Sequence, residues 1–104
     1  MQMNTQKPWL QNYLEEVPHE IDFSAYSSIV GLLEESFERY PNRIAVESMG
    51  YTFSYRQLDV LSIDFAAYLQ TLGLAAGARI AIMFPNVPQY VIAMLGTLRA
   101  GFAV

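Results

Sequence analysis

Between Arg79 and Arg99 the chain carries no charged residue. The stretch opens with Ile80-Ala81-Ile82-Met83-Phe84, apolar without alternation. A strand that alternates can leave one face in water, but one that does not must be covered on both faces, as in a parallel sheet. After Pro85-Asn86 the stretch resumes as Tyr90, Val91, Ile92, Ala93, Met94, Leu95 and Leu98, a helix apolar nearly all round. Pro88 suits its first turn, with Asn86 or Val87 as the cap position, and Gly101 ends it near Ala100. Phe102-Ala103-Val104 then begins another buried strand. Strand, helix, strand is the βαβ crossover of a parallel sheet, so the predicted class is α/β. A membrane-spanning helix needs ~20 consecutive apolar residues; Pro85, Asn86, Pro88 and Gln89 interrupt this stretch, which reads as buried core.

Such a core asks for more protein than the chain supplies. The chain has 104 residues, 53% of them apolar and 15% charged. A domain of this size buries only about two-thirds of its unfolded surface. The second strand has three residues and the chain stops inside it, whereas a parallel sheet needs further strands and a layer on each face. The expectation is a piece of something larger, truncated within a strand.

Charge is unevenly spread. All ten acidic residues lie between Glu15 and Asp64. The segment after Asp64 has Arg79 and Arg99 as its only charges. The formal net charge of -4 provides no general attraction to nucleic acid. Cysteine is absent, which excludes disulfides and thiolate metal sites. The N-terminus, MQMNTQKPWLQNY, has no apolar run and no small-residue cleavage site, so it does not read as a signal peptide and a cytoplasmic location is expected.

Residues 1–26 read as an N-terminal arm with one short turn, in which Trp9, Leu10, Tyr13 and Leu14 could dock on a surface. Residues 27–104 read as a partial α/β subdomain. In it, Ser27 caps a helix to about Tyr40, with Ile29, Leu33, Phe37 and Tyr40 on one stripe. Ile44 to Val46 and Tyr51 to Phe53 form a β-hairpin around Met49-Gly50. Ser54 opens a capping box with Gln57, and a helix runs to about Leu72, closed by Gly73. Leu58, Leu61, Phe65, Leu69 and Leu72 share one face of it. Val60, Ile63 and Ala67 form a second apolar face that asks for a second neighbour. The prediction is thus a hairpin, three helices and the βαβ start of a parallel sheet.

Residue chemistry yields no active site. His19 stands alone beside Glu20 and Asp22 and reads as solvated. Glu34, Glu35 and Glu38 read as the wet face of a helix, with Glu35 paired to Arg39. No phosphate-binding glycine loop, dinucleotide fingerprint or nucleophile elbow occurs. Tyr51, Tyr55, Tyr68 and Tyr90 read as packing residues. Phe84, Pro85 and Asn86 lie at the carboxyl end of a strand, where open α/β sheets bind ligands; helix capping is the plainer role for Asn86. No catalytic, cofactor-binding or metal-binding residue is assigned.

At three places the sequence resembles a known family. Tyr51-Thr52-Phe53-Ser54-Tyr55-Arg56-Gln57-Leu58 is similar to the first core motif of adenylate-forming enzymes. Leu98-Arg99-Ala100-Gly101-Phe102-Ala103-Val104 resembles the opening of their second, and Arg79 to Asn86 with Gln89, Tyr90 and Ala93 resembles the stretch between. Pro8-Trp9-Leu10, Tyr13, Val17-Pro18-His19-Glu20-Ile21 and Tyr26-Ser27-Ser28-Ile29-Val30 look like the start of bacterial long-chain fatty-acid CoA ligases. The resemblance implies the N-terminal piece of the large α/β domain of such a ligase. It implies a parent that joins ATP and a fatty acid into acyl-AMP and pyrophosphate, then lets the CoA thiol displace AMP, with Mg on the phosphates. The family's phosphate loop and adenylation lysine match no position here, so this chain is expected to be inactive scaffold. Its implied partner is the remainder of the parent, with fatty acid, ATP and CoA as the parent's ligands. Self-association of the isolated chain, and peripheral contact of the parent with the inner membrane, belong to the same expectation. Two alternatives stand beside it: another acyl- or aryl-adenylating enzyme, and a stand-alone interaction module. The module would need a polar outer face where Val60, Ile63 and Ala67 lie.

Overall fold

The structure is a computed structural model and describes residues 6–104; the first five residues of the expected arm lie outside the described ones. The arm contains one short 3-10 helix, Pro8–Asn12, with proline in its first turn. Its large apolar side chains stay exposed, Ile21 and Phe23 most of all.

Helix α1 spans Ile29–Arg39 and is capped by Ser28, one residue later than expected; the Ser28 hydroxyl accepts from the Gly31 N–H at 3.0 Å. Of its apolar stripe Phe37 is buried and Leu33 half-buried, while Ile29 and Tyr40 remain exposed. The hairpin pairs β1, Ile44–Ser48, with β2, Tyr51–Ser54, and a bulge at Ala45 lets Val46 meet Phe53. Met49 and Gly50 make the turn with φ of 51° and 82°, the pair of left-handed residues that matches strand twist. Glycine adopts this freely, whereas a non-glycine residue loses ~1–2 kcal/mol there. Met49→Gly is therefore expected to raise stability, by up to about 1 kcal/mol once the looser unfolded chain is counted. Urea denaturation of the two proteins checks this, and a lower midpoint for the variant contradicts it.

Helix α2, Tyr55–Gln70, begins with the full capping box. The Gln57 N–H donates to Ser54 Oγ at 3.1 Å and the Ser54 N–H donates to Gln57 Oε1 at 2.8 Å. Ser54→Ala is expected to lower stability by about 1 kcal/mol, with Gln57→Ala adding little on top because the two bonds form as one unit. Thermal melts of the single and double variants test that non-additivity. The helix ends two residues earlier than expected, at the Thr71 cap.

Helix α3, Pro88–Arg99, starts at proline and is capped by Val87 without a side-chain bond, so Asn86 does not cap it. Ala93, Leu95, Gly96 and Thr97 are buried and most of its other residues half-buried, as an all-round apolar helix requires. Phe37, Leu58 and Leu95 form the core where α1, α2 and α3 meet. The buried side of α2 is Leu58, Ser62, Ala66 and Leu69, whereas Leu61 and Leu72 of the expected stripe are exposed. Small residues let α3 come close there, which a search for large apolar positions does not register. Val60 and Ile63 on the second face are exposed.

The parallel sheet is present only as a start. Arg79 and Ala103 form one parallel bridge, in which the Ile80 N–H donates to the Ala103 carbonyl at 2.8 Å and the Ala103 N–H to that of Ala78 at 2.9 Å. Ile80 and Ile82 are half-buried, but Ala81, Met83 and Phe84 are exposed, so the expected cover on both faces is found on one. Among the described residues no further strand lies beside the bridge and no layer lies over its outer face. Among them, too, no helix is long and apolar enough to cross a membrane.

Candidate functional site

The most densely bonded polar group is Arg99, at the end of α3. Its side chain is only 11% exposed. Nη1 donates to Asp59 Oδ1 at 2.7 Å, to Ser62 Oγ at 2.9 Å and to the Asp59 carbonyl at 3.2 Å. Nη2 lies 3.5 Å from Glu34 Oε1, and the guanidinium carbon sits 5.3 Å from the centre of the Phe37 ring. One cation thus joins α1, α2 and α3. The Ser62 hydroxyl donates to the Asp59 carbonyl at 3.1 Å, and among the described residues no buried side-chain polar atom lacks a partner. A site paired in this way is a tie between helices. Sequence reasoning missed it because Glu34 was read as wet helix face. The signal that could have found it is Arg99 itself, a base in an acid-free segment whose counter-charge must come from elsewhere.

A second location lies where the hairpin turn meets the start of α3. Met49, Tyr51, Phe53, Val87 and Pro88 line a groove of about 380 Å³, edged by Ser48 and Gln89. It adjoins the strand end singled out from the sequence, but Phe84, Pro85 and Asn86 do not line it. An open, mostly apolar groove with a hydroxyl and an amide at its rim can hold a flat or aliphatic group and supplies no acid–base pair.

The remaining sequence candidates are scattered. His19 meets the Tyr13 ring edge-on at 5.7 Å in the arm. Nearby, the Asp22 carboxyl is held below its ordinary value by the Ser24 hydroxyl, which donates to Oδ1 at 2.6 Å, and by the Ser24 N–H at 2.8 Å. Glu35 pairs with Arg39 at 3.8 Å on the exposed side of α1, as expected. Tyr55 packs against Phe37 and Tyr40; Tyr68 stacks on Phe65 at 6.2 Å although its outer side is exposed, and Tyr51 is exposed beside the groove. Among the described residues no three His, Asp or Glu side chains gather as a metal site.

Comparison with known proteins gives consistent matches. Residues 33–104 match the family described as AMP-binding enzyme. The chain is 46% identical over 100 residues to a long-chain-fatty-acid–CoA ligase of Yersinia pestis, a match that covers 95% of this chain and 18% of that protein. The fold is similar to the NpsA N-terminal subdomain of Klebsiella oxytoca, with TM-score 0.69 and 28% identity over 72% of this chain and 20% of that one. It is also similar to a fatty acid AMP ligase from Legionella pneumophila, with TM-score 0.66 and 27% identity over 76% of this chain and 15% of that one. The chain thus spans under a fifth of the length of the curated relative.

Proposed function

The chain belongs to the AMP-binding enzyme family, and from that premise we propose that it is the N-terminal scaffold of a long-chain fatty-acid CoA ligase. The parent reaction is ATP plus fatty acid to acyl-AMP and pyrophosphate, then displacement of AMP by the CoA thiol. One observation carries the reading. The match to the Yersinia pestis ligase covers 95% of the chain, so it reaches well into residues 1–32, ahead of the part the family shares as a whole. Under this reading residues 1–26 are an arm and residues 27–104 a partial α/β subdomain. ATP, Mg and CoA are held by the remainder of the parent, and this chain contributes no catalytic, cofactor-binding or metal-binding residue. The remainder of the parent is its chief partner. Self-association of the isolated chain, a cytoplasmic location and peripheral contact of the parent with the inner membrane complete the proposal.

The test is a chimera in which this chain replaces the matched segment of the Yersinia pestis ligase. Acyl-CoA formation from oleate, ATP and CoA supports the reading; a folded but inactive chimera refutes it. The chain alone is expected to give no ATP–pyrophosphate exchange with palmitate above a heat-treated control. Exchange above that control contradicts the scaffold role.

A further inference from the structure

Charge on this chain is uneven in space as well as in sequence. Between Lys7 and Arg79 the only bases are Arg39, Arg43 and Arg56, and the fold brings all three to one corner, where α1 ends and α2 begins. We propose that this corner is the face by which the protein meets a membrane of anionic phospholipid. This deepens the peripheral contact proposed above and rests on that part of the reading.

Backbone bonds fix the corner. The Arg43 N–H donates to the Tyr40 carbonyl at 3.1 Å, the Tyr55 N–H to that of Arg43 at 3.0 Å and the Arg56 N–H to that of Pro41 at 3.0 Å. The guanidinium carbons of Arg43 and Arg39 lie 4.8 and 5.9 Å from the centre of the same Tyr40 ring. Arg39 has one long ion pair, 3.8 Å to Glu35. Among the described residues Arg43 and Arg56 have no ion pair and no side-chain hydrogen bond. All three arginines are exposed, and so are Tyr40 and Ile44, next to Arg39 and Arg43 in the chain.

The composition of the corner selects lipid. Arginine forks bind phosphate oxygens, and bases near an anionic leaflet are drawn to it. Tyrosine rings and arginine stems settle at the level of the headgroups, with aliphatic groups just below. The arginines come from a helix end, a loop and a helix start, an exposed array that suits many phosphates on one plane. A single phosphate or an acidic peptide asks instead for donors that converge on a hollow, and the hollow beside Arg56 holds Glu38 and Asp59. The net charge of -4 makes binding depend on orientation, because an anionic surface repels the acidic parts of the chain.

Vesicle flotation tests the proposal. The chain is expected to float with phosphatidylglycerol vesicles at low salt, not with phosphatidylcholine ones, and to be released as salt is raised. Each arginine changed to glutamine should weaken binding about fivefold, and Arg39→Gln, Arg43→Gln and Arg56→Gln together about a hundredfold, with thermal melts close to that of the unchanged chain. Lys7→Gln removes the same charge in the arm, where it pairs with Glu20, and should change little. Should the triple variant unfold, Arg56→Gln, which breaks no side-chain contact among the described residues, decides alone. No flotation with phosphatidylglycerol overturns the proposal, as does undiminished flotation of the folded variants. So does release by inorganic phosphate or polyglutamate beyond that by chloride at equal ionic strength. A chimera with the Yersinia pestis ligase that floats equally well without the three arginines removes this face and leaves the membrane contact standing. A chimera that forms no acyl-CoA removes the ligase reading, which the vesicle measurement on this chain does not touch.

Discussion

Gly96→Val is expected to be the most destabilising single change among those argued for this chain, at about 3 kcal/mol or more. A Cβ built on Gly96 would stand 2.7 Å from Cδ1 of Phe65, 3.1 Å from its Cβ and 2.9 Å from the backbone oxygen of Ser62. Phe65 could turn its ring, but its Cβ and the Ser62 carbonyl belong to the backbone frame of α2, which would have to move as a whole. Two effects compete. Any residue in place of a mid-helix glycine gains helix propensity, at most ~1 kcal/mol and less for a β-branched one. Overpacking a tight interface costs ~1–3 kcal/mol for a few atoms, and valine adds three where not even one fits. Overpacking wins. At about 4–8 °C per kcal/mol for a domain of this size, the midpoint should fall by more than 10 °C. Gly31→Ala is the control, because its nearest contact is the Ser28 hydroxyl at 3.3 Å. It should be neutral or slightly stabilising. Equal melting of Gly96→Val and the parent chain would show that α2 and α3 do not approach as closely as described.

That contact illustrates what a sequence shows and what it hides. Local devices were legible. The Ser54 and Gln57 box, the Met49-Gly50 turn and the proline at the start of α3 each act over a few residues, and each formed. The wrapping of α3 was legible too, since an apolar helix has one way to avoid water. The seam of Ser62, Ala66 and Gly96 was not. Small residues carry little hydrophobic signal, and their role appears only when a second helix is laid against them. The strand expected over Arg79–Phe84 is present only as the start of parallel pairing at Arg79, for a related reason. Its composition states what it needs around it, but pairing depends on neighbours, and one parallel bridge is what the described residues provide. The active site stayed invisible at both levels. Resemblance identified the family, while the residues themselves offer a groove and a saturated arginine.

Asp59→Ala is expected to cost about 2 kcal/mol and Arg99→Met about 1 kcal/mol, an asymmetry that follows from where each charge is left. Removing Asp59 strands a guanidinium that is only 11% exposed. Its carboxylate partner at 2.7 Å is lost, and it keeps the backbone carbonyl of residue 59, Ser62 Oγ and Glu34 at 3.5 Å. Breaking a fully buried pair costs ~3–5 kcal/mol; these remaining partners and the partial exposure of Asp59 reduce that figure. Removing Arg99 leaves a carboxylate that is 35% exposed, which water can solvate. Methionine also keeps an apolar stem against Phe37, although the guanidinium's attraction to the ring is lost. The double variant should cost less than the two singles together, by about 1 kcal/mol, since either one already breaks the pair. Salt should weaken the Glu34 contact more than the Asp59 one, because Glu34 is half in solvent. Urea denaturation of the four proteins at low and high salt measures all of this. Additive losses, or a larger loss for Arg99→Met than for Asp59→Ala, would mean that Arg99 holds the three helices through its stem and ring contact and not through its charge.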